Sequence, residues 1–241
     1  MPALNAATLL TVWEQGVLQH PVERSLELLA ISWPELTAQD WANVSVGRRD
    51  RQLLLLREEL FGSKLEAVAI CPQCGTRLEL VLSTRDLQTP AAQIFEAPQC
   101  LESGSYEVEY RLPTSADLLE VANNLNQARE ILLERCVEAR SEGEAVQAAA
   151  LPQPVLKLLG EKMAQADPQA EVRIAVDCPD CLHHWSSVFD VLSYLWGEIE
   201  DWAERLLRDV HSLASAYGWS ERDIISMTAL RRRLYLEMLG A

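Results

Sequence analysis

Cys71-Pro72-Gln73-Cys74-Gly75 is answered far along the chain by Cys178-Pro179-Asp180-Cys181. Each Cys-x-x-Cys pair sits between alternating runs. Leu65-Glu66-Ala67-Val68-Ala69-Ile70 precedes the first pair and Arg77-Leu78-Glu79-Leu80-Val81-Leu82 comes after it. Glu171-Val172-Arg173-Ile174-Ala175-Val176 precedes the second and His184-Trp185-Ser186-Ser187-Val188-Phe189 comes after it. Apolar residues at every second position mark half-buried strands, so each pair reads as a hairpin turn holding two thiols. Together the hairpins supply four soft ligands, enough for a closed tetrahedral site in which Cys71, Cys74, Cys178 and Cys181 hold one structural Zn2+ per chain. Gly75 accepts the positive φ of a tight turn. Leu182 holds the matching place in the second pair, which makes that knuckle the less typical one.

Other uses of these cysteines have to be weighed. Disulfides suit an oxidising compartment, but a chain of this size has core enough without them. A redox Cys-x-x-Cys belongs at the start of a helix in a βαβ unit, whereas these pairs lie in hairpins. His183 and His184 stand beside the second knuckle, yet four cysteines already fill the shell. Cys100 and Cys136 are left over; Cys136 falls on an apolar helix face, where a free thiol acts as a small hydrophobe.

Outward from the knuckles the expected class is α+β, mainly helical, with a split zinc-ribbon-like pair of β-hairpins and an inserted hairpin-plus-helices subdomain. Residues 1–62 form an N-terminal helical module, with Trp13, Trp33 and Trp41 as core, Pro21 and Pro34 at first-turn positions, and Arg48 to Leu60 an amphipathic helix capped by Gly62. Residues 63–87 and 170–190 are the two halves of the hairpin pair. Residues 88–169 are the insertion: a connector from Gln88 to Pro98, a metal-free hairpin from Cys100 to Leu112, and a helical stretch over about 116–140 broken near Asn123–Asn126. A loop over Glu142 to Gln153 and a helix from Pro154 to Gln165 complete it. Thr114 and Asp117 open the first of these helices, Thr114 accepting from an amide three residues on. Residues 191–241 give a long helix from Val191 to Tyr217, stopped by Gly218, and two short ones.

The chain has 241 residues, 49% of them hydrophobic, and a net charge of −15 from 36 acidic against 21 basic residues. That field repels phosphate backbones, so no nucleic-acid partner is expected. Arg48, Arg49, Arg51 and the run Arg231-Arg232-Arg233 read as solvated or ion-pairing groups. No apolar run is long enough to insert in a membrane, and the first twenty residues lack the pattern of a signal peptide, so a cytoplasmic location is expected. There is no glycine-rich phosphate loop, no Ser-His-Asp pattern and no open histidine site, hence no expected catalysis or small-molecule substrate. The partners expected from this are proteins.

Several phrases carry a resemblance: Gly47-Arg48-Arg49-Asp50 opening a leucine-rich helix, the first knuckle, Arg111-Leu112-Pro113-Thr114-Ser115-Ala116-Asp117-Leu118, Tyr217-Gly218-Trp219-Ser220, and Arg231-Arg232-Arg233-Leu234-Tyr235. In this order they resemble baseplate hub proteins or hub assembly chaperones of contractile-tailed phages, in the version carried by phage-like extracellular contractile injection systems. The resemblance implies a noncatalytic assembly protein whose partners are baseplate, hub or spike proteins of a contractile particle. A zinc-ribbon regulatory adaptor of another cytoplasmic protein, or a thiol-disulfide enzyme using Cys71 and Cys74, are the competing expectations.

Overall fold

The computed structural model describes residues 4–89 and 98–240; most of the expected connector from Gln88 to Pro98 lies outside them. The protein is α+β, with helices predominating over small antiparallel sheets. The chain opens with α1 (Ala6–Gly16), α2 (Pro21–Ser32), α3 (Ala38–Ala42) and α4 (Val46–Phe61). Next come β1 (Lys64–Ile70), β2 (Arg77–Ser83), α5 (Thr84–Leu87), β3 (Gln99–Ser103) and β4 (Tyr106–Tyr110). The middle of the chain continues with α6 (Ser115–Ala122), α7 (Ala128–Cys136), β5 (Val137–Ser141), β6 (Glu144–Val146) and α8 (Gln153–Ala166). The last elements are β7 (Arg173–Asp177), β8 (His184–Val188), α9 (Val191–Tyr217), α10 (Glu221–Ser226) and α11 (Ala229–Met238). Among the described residues no helix is long and apolar enough to cross a membrane.

Two compact units emerge: residues 36–191, and residues 1–35 together with 192–241. The cut after Glu35 falls inside the expected module 1–62, leaving Trp13 and Trp33 in one unit and Trp41 in the other. Pro21 begins α2 as expected, but Pro34 lies in the turn after that helix and starts none.

In the unit of residues 36–191, β3, β4, β5 and β6 form one four-stranded antiparallel sheet. One face packs Leu101, Val108, Tyr110, Val137 and Ala139 against Val155 and Leu159 of α8. The sequence predicts a helix as far as about 140 and a loop from Glu142; the structure turns Val137 to Val146 into a hairpin instead. Val137 and Ala139 alternate with Glu138 and Arg140 at strand period, and Glu142 and Gly143, at φ 52° and 86°, make the two-residue turn that such a hairpin needs. The break between α6 and α7 falls where expected, after Ala122.

The same unit hides a set of charged groups. Asp117 is fully buried and takes Arg111 at 2.6 Å and Arg135 at 2.7 Å, while also accepting the amide of Thr114 at 2.9 Å. The Thr114 hydroxyl also donates to Asp117. Arg49, also buried, pairs with Asp50 at 2.6 Å and donates to Ser115 at 3.0 Å. Gly47 donates its amide to Asp167 at 2.8 Å, and a Cβ there would stand 2.1 Å from that carboxylate, which restricts the position to glycine. Gln169 accepts from the Thr89 amide and donates to the Leu87 carbonyl. The start of α4 is thereby tied to the Arg111–Asp117 segment and to the turn after α8, and these ties place β1 and β7 from opposite ends of the unit's sequence.

In the other unit, Leu10 of α1 packs with Ala203, Leu206, Val210 and Leu213 of α9 and Ile224 of α10. Gly16 lets α1 lie on Trp196, whose ring would be 2.3 Å from a Cβ at that position. Arg24 of α2 stacks over the Trp196 ring at 4.3 Å. Gly218, at φ 68°, ends α9, and Tyr217, Trp219 and Tyr235 cluster beyond it.

Candidate metal centre

β1 and β2 pair antiparallel from Lys64 opposite Ser83 to Ile70 opposite Arg77. β7 and β8 pair from Arg173 opposite Val188 to Asp177 opposite His184. The turns left over, Cys71 to Thr76 and Cys178 to His183, have the same length and the same bonding. The Cys71 amide donates to Thr76 and the Gly75 amide to Cys71; in the second turn the Cys178 amide donates to His183 and the Leu182 amide to Cys178. Gly75 takes φ 77° without strain, and Leu182 is driven to φ 59°, in the left-handed region a branched side chain avoids at about 1–2 kcal/mol. The second knuckle thus keeps the geometry of the first in spite of its sequence.

Among the described residues no backbone ladder joins the two hairpins, which form separate sheets. Their turns meet through side chains. The sulfurs of Cys71 and Cys181 are 3.6 Å apart and those of Cys74 and Cys178 are 3.5 Å apart, and all four lie within 4.8 Å of one another. Four thiolates placed tetrahedrally at metal–sulfur bonds of about 2.3 Å have edges of about 3.8 Å, so the donor set fits one ion. None of the four is in a disulfide. Cys71 and Cys178 are buried, Cys181 is half-buried and Cys74 is exposed.

Electrostatics point the same way. Contact with Thr76, first through its side chain and then its amide, brings the Cys74 thiol down to about 6. The His183 amide favours ionisation of Cys181 too, but burial and the three neighbouring sulfurs outweigh it and push that thiol up to about 12. The sulfurs thus share protons through hydrogen bonds, Cys74 on the acceptor side and Cys181 on the donor side.

Sequence reasoning missed the groups around the cluster. The Thr76 hydroxyl donates to Asp180 at 2.6 Å, linking one knuckle directly to the other. A polar residue two places after Cys74 and another just before Cys181 were the available signal. His183 stacks on Trp185 at 5.9 Å and His184 contacts Asp177, so both histidines are engaged outside the cluster. Cys100 is exposed on β3. Cys136 is buried, as expected of a small hydrophobe, and its thiol, pushed up to about 11 by burial, donates to Asp117.

Comparison with curated proteins and with solved structures gives no match. A family model described as T4 bacteriophage base plate protein matches residues 35–196. That span contains both knuckles, the Gly47–Asp50 and Arg111–Asp117 phrases and the whole of the larger compact unit; the chain belongs to the T4 bacteriophage base plate protein family.

Proposed function

We propose that the chain is a noncatalytic component or assembly chaperone of the baseplate hub in a contractile injection particle, with a structural zinc ion held by Cys71, Cys74, Cys178 and Cys181. The family match over residues 35–196 carries the baseplate reading. It implies partners among other baseplate proteins, and hub or spike proteins are the ones we infer. Zinc is favoured because four thiolates form a closed, soft, tetrahedral shell, with no position left open for a substrate or for water. Bound there, zinc supplies no chemistry; it clamps two hairpins that lie in separate sheets. The protein acts in the cytoplasm, where particles are assembled.

The test is quantitative mass spectrometry of purified particles and of the lysate they come from, with this chain scored against tube and sheath proteins. A small fixed copy number in particles makes it a baseplate component. Presence only in lysate, bound to unassembled hub or spike proteins, makes it a chaperone. Absence from both sinks the proposal.

A further inference from the structure

Two surfaces of the chain lie open, one in each compact unit, and their chemistry is complementary. α11 turns Tyr235 and Leu236 toward its unit's core and buries Arg232. Its opposite side carries Leu230, Leu234 and Met238, each four residues from the next and so in one row, exposed by 59%, 45% and 73%. Arg231 and Arg233 border this row, and both are exposed. An apolar row framed by guanidinium groups is suited to an acidic groove with an apolar edge.

The outer face of the β3–β6 sheet is an acidic groove of this kind. It encloses about 570 Å3 and is lined by Glu102, Glu107, Glu109, Glu134 and Glu138 against a single Arg140. Ala145 and Ala149, both exposed, form its apolar edge. Glu102 stands directly opposite Glu107, and Glu109 opposite Glu138. Arg140 faces Glu107 from the next strand, but like charges facing each other across strands destabilise a sheet, so the two Glu–Glu pairs leave a repulsion that incoming guanidinium groups relieve.

We propose that α11 of one copy seats in the acidic sheet groove of a second copy, Arg231 and Arg233 against the glutamates and its apolar row along the Ala145 and Ala149 edge. The contact is heterologous: it leaves one copy with a free groove and the other with a free α11, so further copies add head to tail and a ring forms if the rotation closes. A ten-residue helix covers less than the roughly 800 Å2 per partner of a stable complex, so the contact is weak and matters where copies are concentrated. The net charge of −15 opposes association at low salt. Screening at physiological salt, over about 8 Å, removes that long-range term while touching charges retain theirs.

The inference stands apart from the baseplate reading, and so does its test: sedimentation of the full, metal-loaded chain at physiological salt, from micromolar to near-millimolar concentration. Self-association is expected. Arg231→Glu with Arg233→Glu, and separately Glu107→Lys with Glu109→Lys, are each expected to weaken it about tenfold or more. Mixing the two variants is expected to restore association, because each supplies the surface the other lacks. All four positions are exposed, so the fold is retained, which circular dichroism checks. A wild type monomeric throughout, association indifferent to either pair, or a mixture no stronger than its parts overturns the proposal.

Discussion

Asp117 shows what a single residue carries here. Burial works against its charge, but donation from Arg111, the Thr114 amide and Arg135 outweighs burial and holds the carboxyl well below the usual carboxylate range. A carboxyl depressed in the folded state stabilises the fold at every pH above its unfolded value near 4, and that stability goes only as the pH falls below it. Asp117→Asn keeps the shape and strands two guanidinium groups. Urea unfolding at pH 7 is expected to show a loss of about 3 kcal/mol, unchanged at pH 5 and narrowing only below about 4. Asp50 has the opposite sign: burial, acting against Arg49, pushes it up to about 6, so acidification from 6 toward 4 strengthens the fold at that position. The phrase Pro113 to Asp117 was legible as a helix start because a local pattern announces it. Its role as an ion-pair centre was not, since Arg135 lies 18 residues away and only the folded chain brings it close. Thr76 and Asp180 stayed hidden for the same reason, being 104 residues apart.

At the scale of elements, the two knuckle hairpins could be read in advance because alternation, turn and ligand spacing agree in each. The β5–β6 hairpin could not, since Val137 to Ser141 continues directly from the helix ending at Cys136 and offers no breaker between them. Strand pairing with β4, from Tyr106 opposite Ser141 to Tyr110 opposite Val137, overrides the helical preference of Glu138, Ala139 and Arg140. Helix packing offers a sharp test of another element. Gly16 closes α1 against the Trp196 ring, which is embedded in α9 and capped by Arg24. Alanine is the better helix former by up to about 1 kcal/mol, so propensity alone favours Gly16→Ala. The 2.3 Å approach decides otherwise. Thermal unfolding of Gly16→Ala is expected to show a net loss of about 1–3 kcal/mol from overpacking; a gain in stability breaks the account of how α1 meets α9.

At the scale of the molecule, the four-cysteine cluster joins two hairpins that no ladder connects among the described residues. Cys74 and Cys178 are 104 residues apart, and a cross-link over a loop of that length restricts the unfolded chain by about 4.7 kcal/mol. Metal analysis of the purified chain is expected to find about one zinc per molecule. Stripping it with a strong chelator, or Cys178→Ser, is expected to lower the unfolding temperature sharply and expose the hairpins to proteolysis. An apoprotein as stable as the loaded one removes the clamp. The meeting of the four cysteines was legible in the sequence because thiol pairs have few other uses in a hairpin. The division into two units was not, because the contacts that join residues 1–35 to residues 192–241 leave no local mark. The wide spacing of the knuckles also sets a clock. A ribosome adding about 5–20 residues per second needs about 5 to 20 s to travel the 104 residues from the first knuckle to the second. Through that interval Cys71 and Cys74 are paired thiols without their partners, and the four-sulfur cluster can close only after the whole insertion has been made.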